Sequence, residues 1–209
     1  MPIITKLEIQ QKDKKRVSIY VDDEFFMGVN EEIIYSLYIQ KGQEIDNEKL
    51  QKMIAEENYL KAKSKALKLL HFSSRTEKEI RDRLRKNEYE DDTIDRVIVF
   101  LKEYEFINDE YLTKNMINNK LNNKKYGSKR IKQDLQRKGV DASIIESSME
   151  DYVDEEIEYE NAILLAEKKL KGLKDDDPRK IYEKVGRYLA YRGYNYDIIR
   201  KVLNTVLKR

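Results

Sequence analysis

The chain has 209 residues, of which 39% are charged and 40% hydrophobic, and its formal net charge is +2. This composition can fill several small cores but not one deep core, and the absence of cysteine excludes disulfides and thiolate metal sites. A single histidine, His71, argues against a multi-histidine metal centre, and no apolar run of about 18 residues is present. We therefore expect a cytoplasmic protein that does not bind membranes, with His71 in a structural role.

The first 45 residues predict a small domain that contains strands. Residues 3–10 and 16–21 alternate apolar and polar side chains around a polar turn, and residues 25–29 follow a second turn. This pattern predicts a three-stranded meander. A small sheet of this kind needs a covering helix for stability.

Two helices are expected to follow the strands. The first covers residues 31–39, with Asn30 as its N-cap and Gly42 beyond its end. The second is longer, is capped by Asn47 and runs to residues 67–70.

A pattern of four apolar residues then occurs three times, at spacings of 51 and 54 residues. Each copy is typical of an amphipathic helix, a tight turn and a second amphipathic helix. Such a unit cannot bury its apolar face alone and must pack with its neighbours, which predicts an elongated helical array. The three copies are Ile80/Leu84/Tyr89/Ile94, Ile131/Leu135/Val140/Ile145 and Val185/Leu189/Tyr194/Ile199.

The charges alternate with the repeats. Residues 61–86 carry ten basic and three acidic side chains, whereas residues 88–110 carry two and nine. Residues 120–138 carry eight basic side chains and one acidic, and residues 141–160 carry nine acidic and no basic ones. Residues 179–209 carry nine basic side chains and two acidic. Basic surfaces suit nucleic-acid phosphates, and acidic surfaces suit a basic protein.

Capping residues predict where the helices of the repeats begin. Thr76 and Glu79 form the pattern of a capping box, and Asp177 before Pro178 is typical of an N-cap followed by proline at the first helical position. The last helices of the three copies are expected to begin after Glu90, which is a poor cap, and after Asp141 and Asn195, which are good ones.

Glycines mark the turns of the second and third copies. Gly139 and Gly193 occupy equivalent positions, each after a basic residue, and glycine there permits a left-handed backbone. The first copy has Glu88 at this position. The alternatives are a strained turn at Glu88 or a left-handed Asn87.

Several segments resemble the regulatory proteins of the RecX family. Residues 66–85, 97–104 and 106–111, which include Asp109-Glu-Tyr111, are similar to the first repeat of that family. Residues 126–139 are similar to the second repeat, and residues 181–203, with the core Tyr191-Arg-Gly-Tyr194, are similar to the third. The part before residue 60 is similar to an amino-terminal extension found in some members.

The resemblance implies a mainly α fold. Tandem three-helix repeats would form an elongated, curved array with a small N-terminal α+β extension of three strands and a helix. The expected domains are a strand-containing domain over 1–45, a first repeat with its lead-in helix over 46–110, a second repeat over 111–157 and a third over 158–209.

The resemblance also implies a function without catalysis, cofactors or metals. Such a protein would be a negative modulator of the RecA recombinase that binds the RecA–DNA filament and inhibits its ATPase, strand exchange and SOS coprotease functions. The expected partners are the RecA filament and single- and double-stranded DNA, and the protein is expected to be a monomer.

Basic residues of the repeats are the candidate contacts with DNA or the filament. The alternative is a solvated helix face with intrahelical ion pairs, and we favour binding for the group as a whole. The candidates are Arg75, Arg81, Arg85, Lys86, Lys124, Lys125, Lys129, Arg130, Lys132, Arg137, Lys138, Arg187 and Arg192.

Tyrosines of the third repeat allow two interpretations. Tyr188, Tyr191, Tyr194 and Tyr196 could stack on bases or pack in a core. Their helical spacing favours the core for Tyr194 and leaves Tyr191 open.

Two other functions remain as alternatives. A RecA-independent nucleic-acid-binding helical module would bind DNA with strong salt dependence. A carboxylate-dependent nuclease could use Asp175–Asp177, although loop solvation and helix capping are favoured for this run. Gly127-Ser128-Lys129 lacks the other features of a phosphate-binding loop, so ATP hydrolysis is not expected.

Overall fold

The computed structural model describes residues 1–11, 13–174 and 177–207. The chain folds into two compact units. The first comprises Met1–Ser73 and Arg81–Tyr104, and the second comprises Ser74–Ile80 and Glu105–Arg209.

The amino-terminal strands form the predicted meander. Strands β1 (Ile4–Ile9), β2 (Arg16–Val21) and β3 (Glu24–Asn30) pair antiparallel in the order β1-β2-β3. Ile19 lies opposite Leu7 on one side and Met27 on the other. Because Ile19 points into the core from the central strand, it is fully buried.

Helices α1 (Glu31–Ser36) and α2 (Asn47–Phe72) follow the sheet. Ile33 of α1 and Ile54 of α2 belong to the same buried cluster as Ile19. This core gives the short strands the apolar cover that an isolated small sheet lacks.

Both helix caps at this end of the chain can be compared with the prediction. The Asn30 side chain accepts the Glu32 N–H at 3.0 Å, which confirms the first cap. The second cap is not Asn47 but Asp46, whose Oδ1 accepts the Lys49 N–H at 3.1 Å. Asp46 has extended backbone angles, and Asn47 is already the first helical residue.

The remaining helices form the repeated part of the chain. The first repeat contains the end of α2 with α3 and α4, and the other two follow in order. Their bounds are α3 Glu77–Arg85, α4 Asp91–Glu103, α5 Asp109–Asn118, a π-helical segment Asn119–Asn123, α6 Ser128–Arg137, α7 Ala142–Tyr152, α8 Glu155–Lys171, α9 Pro178–Arg192 and α10 Tyr196–Leu207.

The apolar pattern of the second and third copies identifies their cores. In the second copy, all four residues of the pattern lie in one buried cluster with Ile117 and Leu121. In the third, Val185, Leu189 and Tyr194 lie in one buried cluster, and Ile199 packs partly buried against it. The mainly helical fold with tandem three-helix units and an N-terminal sheet is thus confirmed.

The predicted caps and turns of the repeats are also present. Glu79 Oε2 accepts the Thr76 N–H at 3.0 Å and Thr76 Oγ1 accepts the Glu79 N–H at 3.2 Å, which completes the capping box. In the first turn Glu88 takes the left-handed conformation itself, with φ of +62°, so the alternative at Asn87 is wrong. The side chains of Asp141, Asp177 and Asn195 cap their helices, and that of Glu90 makes no cap bond.

No helix within residues 1–11, 13–174 and 177–207 is long and apolar enough to cross a bilayer.

Candidate nucleic-acid interface at the joints between repeats

The second unit contains a joint in which the start of α3 receives the turn between α6 and α7. Thr76 Oγ1 donates to the Lys138 carbonyl oxygen at 2.7 Å, and Lys138 Nζ lies 2.7 Å from Glu79 Oε1. Asp109 Oδ1 accepts the Glu77 N–H at 3.0 Å. We call this the first joint; it comprises Thr76, Glu77, Glu79, Asp109, Lys138 and Gly139.

The same unit contains a second joint, in which the start of α6 receives the turn between α9 and α10. The Gly127 N–H donates to the Arg192 carbonyl at 3.0 Å, and the Lys129 N–H donates to that of Gly193 at 3.1 Å. Glu158 Oε1 accepts the Ser128 N–H at 2.7 Å. The second joint comprises Tyr126, Gly127, Ser128, Arg130, Glu158, Arg192 and Gly193.

The two joints use equivalent positions but different charges. The repeat spacings of 51 and 54 residues align Glu79 with Arg130 and Lys138 with Arg192. In the first joint this pair is an anion and a cation. In the second it is two guanidinium groups, 4.5 and 4.4 Å from the centre of the Tyr126 ring.

Close approach of the docked helix start explains the glycines of both turns. A Cβ atom on Gly193 would overlap Arg130, and one on Gly139 would overlap the Lys78 side chain. Both glycines also have positive φ, +93° and +73°. Any other residue would therefore be strained at both turns; at Gly193 it would also separate the helices, and at Gly139 it would displace the Lys78 side chain.

Glu158 of the second joint and Glu79 of the first joint have opposite pKa shifts. Burial raises the pKa of Glu158, against the hydrogen bonds from Ser128. Burial also acts to raise the pKa of Glu79, but the hydrogen bonds from Lys138 and from the Thr76 N–H outweigh it, so that this pKa is lowered.

A buried hydrogen-bond chain connects the second joint to α8. The Tyr194 hydroxyl donates to the Lys125 carbonyl at 3.0 Å, and Lys125 Nζ donates to Asn161 Oδ1 at 2.6 Å. Asn161 Nδ2 donates in turn to the Leu121 carbonyl at 3.0 Å. Tyr194 is only 2% exposed, which confirms its expected core position.

Four of the predicted binding residues are used by the joints. Lys138 bonds to Glu79 in the first joint. Lys125, Arg130 and Arg192 bond in and beside the second, where Arg130 donates to the Tyr191 carbonyl at 3.1 Å and Arg192 to the carbonyls of Lys124 and Lys125. These side chains hold the repeats together, whatever else they bind.

Five further candidates form ion pairs with acidic side chains. Arg81 and Arg85 reach from α3 to the acidic helix α4. Exposed ion pairs of this kind contribute little stability, so they leave the cations available to a stronger anion. The pairs are Arg81–Asp95 at 2.5 Å, Arg85–Asp91 at 2.9 Å, Lys132–Glu146 at 3.5 Å, Arg137–Asp134 at 3.7 Å and Arg187–Glu183 at 3.7 Å.

The last four candidates differ in surroundings. Lys124 and Lys129 are exposed beside the second joint. Lys86 lines a polar cavity of about 600 Å³ in the first unit, and Arg75 lines a cavity of about 460 Å³ in the second. The Arg75 Nε is buried and has no hydrogen-bond acceptor among the described residues.

The tyrosines divide between core and surface. Tyr188 packs partly buried against the third core, whereas Tyr191 and Tyr196 are 73% and 68% exposed. The Arg130 guanidinium lies 5.1 Å from the centre of the Tyr191 ring. Sequence reasoning missed this stacked arrangement. The repeat spacing could have drawn attention to this position, because it aligns Arg130 with the acidic Glu79 of the first joint and so reveals a change of charge.

Within residues 1–11, 13–174 and 177–207, no group of three or more acidic, histidine or cysteine side chains is placed to hold a metal. Asp175 and Asp176 of the candidate nuclease site lie outside the described residues. Asp177 accepts the Arg179 N–H at 2.9 Å and so caps α9.

These features define a class of protein in which a small sheet domain is followed along the chain by linked three-helix repeats. Four family models match in chain order: the RecX N-terminal domain over residues 2–46, and the first, second and third three-helix domains of RecX over 62–101, 108–149 and 155–203. The chain belongs to the RecX family.

Relatives cover nearly the whole chain. It is 42% identical to Regulatory protein RecX of Clostridioides difficile, over 99% of this chain and 97% of that one. It is 38% identical to Regulatory protein RecX of Clostridium tetani, over 98% of this chain and 94% of that one.

Two crystal structures have a similar fold. RecX from Lactobacillus salivarius has a TM-score of 0.67 at 29% identity and covers 74% of this chain and 99% of its own. A second structure of regulatory protein RecX has a TM-score of 0.66 at 23% identity and covers 98% of this chain and 100% of its own.

Proposed function

We propose that this protein is a negative modulator of the RecA recombinase that acts by binding the RecA–DNA filament. In this role it inhibits the ATPase, strand exchange and SOS coprotease functions of the filament without catalysis of its own. The observation that carries the proposal is the ordered match of four RecX domains, together with relatives named as regulatory proteins.

The charge distribution supports two kinds of contact. Exposed cations beside the second joint, Lys124 and Lys129, suit phosphates, and the exposed Arg137 and Arg187 extend this basic surface along α6 and α9. The acidic segment 141–160 has nine acidic and no basic side chains, which suits a basic surface on a protein partner.

The test is the single-strand-dependent ATPase of the cognate RecA, titrated with this protein. Suppression far below one protein per RecA subunit supports capping of filament ends, and suppression only near saturation supports binding along the filament. Either result supports the modulator. An unchanged ATPase with salt-sensitive DNA binding would instead support the RecA-independent module, whose log affinity for single strands falls by about 0.7 per neutralised phosphate for each tenfold rise in salt.

Matched charge reversals locate the surface. Arg130 and Glu158 are unsuitable because both hold the second joint together. We therefore compare Lys129→Glu with Glu156→Lys, since both side chains are exposed. We expect Lys129→Glu to weaken inhibition by several-fold more than Glu156→Lys. Equal inhibition by both variants and the wild type would contradict a binding role for this basic surface.

A further inference from the structure

The second joint carries more positive charge than the first. The first joint docks a turn on a helix start with one anion and one cation at the aligned positions, Glu79 and Lys138. The second joint does the same with Arg130 and Arg192. Arg130 donates to the Tyr191 carbonyl and Arg192 to the carbonyls of Lys124 and Lys125, and because carbonyls carry no net charge these bonds do not neutralise the two guanidinium groups.

The nearby carboxylates are engaged by other groups. Asp134, one helical turn from Arg130 on α6, pairs with Lys120 at 2.6 Å. Glu158 is 3% exposed, and its Oε1 accepts the Ser128 N–H. Arg130 is held between two aromatic rings, 4.5 Å from the centre of Tyr126 and 5.1 Å from that of Tyr191. An anion that approaches from solvent therefore meets cations that are already positioned.

Tyr191 presents an aromatic surface to solvent beside these cations. Its side chain is 73% exposed although it lies at the joint, and its backbone carbonyl is the group that anchors Arg130. Arg187 lies one helical turn earlier on the same face of α9 and is exposed, and Lys129 is exposed next to Arg130 on α6. An exposed ring among cations is how proteins bind unpaired nucleotides, since the base stacks and the phosphates pair with the cations.

We propose that the second joint binds single-stranded nucleic acid, with an unpaired base stacked on Tyr191 and the neighbouring phosphates on Lys129 and Arg187. This inference rests on the proposed function and assigns its nucleic-acid contact to one joint. The first joint has no such role, because its equivalent of Arg130 is the acidic Glu79.

The test uses fluorescence anisotropy of a labelled oligothymidylate with the full chain and no RecA. Tyr191→Ala should lose about 5- to 150-fold in affinity, the range for one stacked base, and Tyr191→Phe should keep wild-type affinity. Tyr182→Ala is the control, since Tyr182 is exposed on the same helix but lies nine residues, or two and a half turns, away and so on the opposite face. The Tyr191 carbonyl that anchors Arg130 is retained in every variant.

Duplex DNA of the same length separates stacking from charge. Its bases are paired, so Tyr191→Ala should leave duplex affinity within about twofold of wild type. The inference is overturned by unchanged oligothymidylate affinity of Tyr191→Ala, by an equal loss with Tyr182→Ala or on duplex, or by a wild type that does not bind the oligonucleotide. It is also overturned if Tyr191→Ala loses only binding to DNA-free RecA, because the ring would then contact protein.

The RecA ATPase, measured on the same variants, keeps this inference distinct from the proposed function. A wild type that binds oligothymidylate through Tyr191 but does not suppress the ATPase would refute the modulator and retain the base site. A wild type that suppresses the ATPase while Tyr191→Ala binds oligothymidylate normally would refute the base site and retain the modulator.

Discussion

Gly193→Ala is the most direct test of how the second joint is held together. The new Cβ would lie 2.5 Å from the Arg130 nitrogen and 2.9 Å from its Cα, and these backbone atoms are fixed within α6. The substitution would therefore push apart the turn and the helix start that it meets. It also forces alanine into a left-handed conformation, with φ of +93°.

Two contributions set the expected size of the effect. A left-handed non-glycine residue costs about 1–2 kcal/mol, and overpacking against a rigid neighbour costs about 1–3 kcal/mol. Gly193→Ala should thus lower the free energy of unfolding by about 2–5 kcal/mol. Gly42→Ala is the control, because Gly42 has a similar φ of +86° with nothing within 4 Å of its Cβ position, so it should lose only the first contribution.

The assay combines urea denaturation with amide hydrogen exchange. The Lys129 N–H donates to the Gly193 carbonyl, so its exchange reports local opening of the second joint. Gly193→Ala should accelerate this exchange, and Gly42→Ala should not. Equal losses of stability in the two variants, with Lys129 exchange unchanged in both, would refute the close-approach argument.

Further predictions concern single carboxylates and the first turn. The pKa of Glu158 is raised above its ordinary 4.5. The stability that this group contributes is therefore full below pH 4.5 and is lost as pH rises through the raised pKa. Relative to the wild type, Glu158→Gln should gain thermal stability as pH increases from 4 to 7. The pKa of Glu79 is lowered, so the stability that this group contributes is full above pH 4.5 and is lost as pH falls through the lowered pKa. The destabilisation caused by Glu79→Gln should therefore shrink below about pH 4, which calorimetry would measure. Glu88→Gly should raise the free energy of unfolding by about 1 kcal/mol, since Glu88 has a φ of +62°, and no gain in urea denaturation would argue against strain there.

Local features could be predicted from the sequence because their physical causes are local. The capping box of Thr76 and Glu79 and the left-handed Gly139 and Gly193 depend on residues within one turn of each other, and all are present. The error at Asn47 was a displacement of one residue, since aspartate and asparagine are equally good caps and Asp46 comes first.

The joints could not be predicted from the sequence, because they connect residues far apart in the chain. Thr76 meets Lys138, and Arg130 meets the carbonyl of Tyr191, 62 and 61 residues away. Composition marked Lys125 and Arg192 as cations that could bind DNA, but only the packed structure distinguishes cations bonded inside the second joint from exposed ones such as Lys129. The role of any of them in binding DNA or RecA stays a prediction.

The turn of the first repeat and the helix start of the third repeat differ from the turns and helix starts that form the two joints. At one end, the turn of the first repeat has Glu88, which carries a Cβ at the position where the other two turns have glycine. At the other end, Asp177 Oδ1 caps α9 by accepting the Arg179 N–H at 2.9 Å, whereas the equivalent N–H of α6, that of Lys129, donates to the Gly193 carbonyl. We therefore expect that a turn from a second molecule does not dock on this helix start as Gly193 docks on α6. These two differences are expected to disfavour a head-to-tail polymer built through this contact.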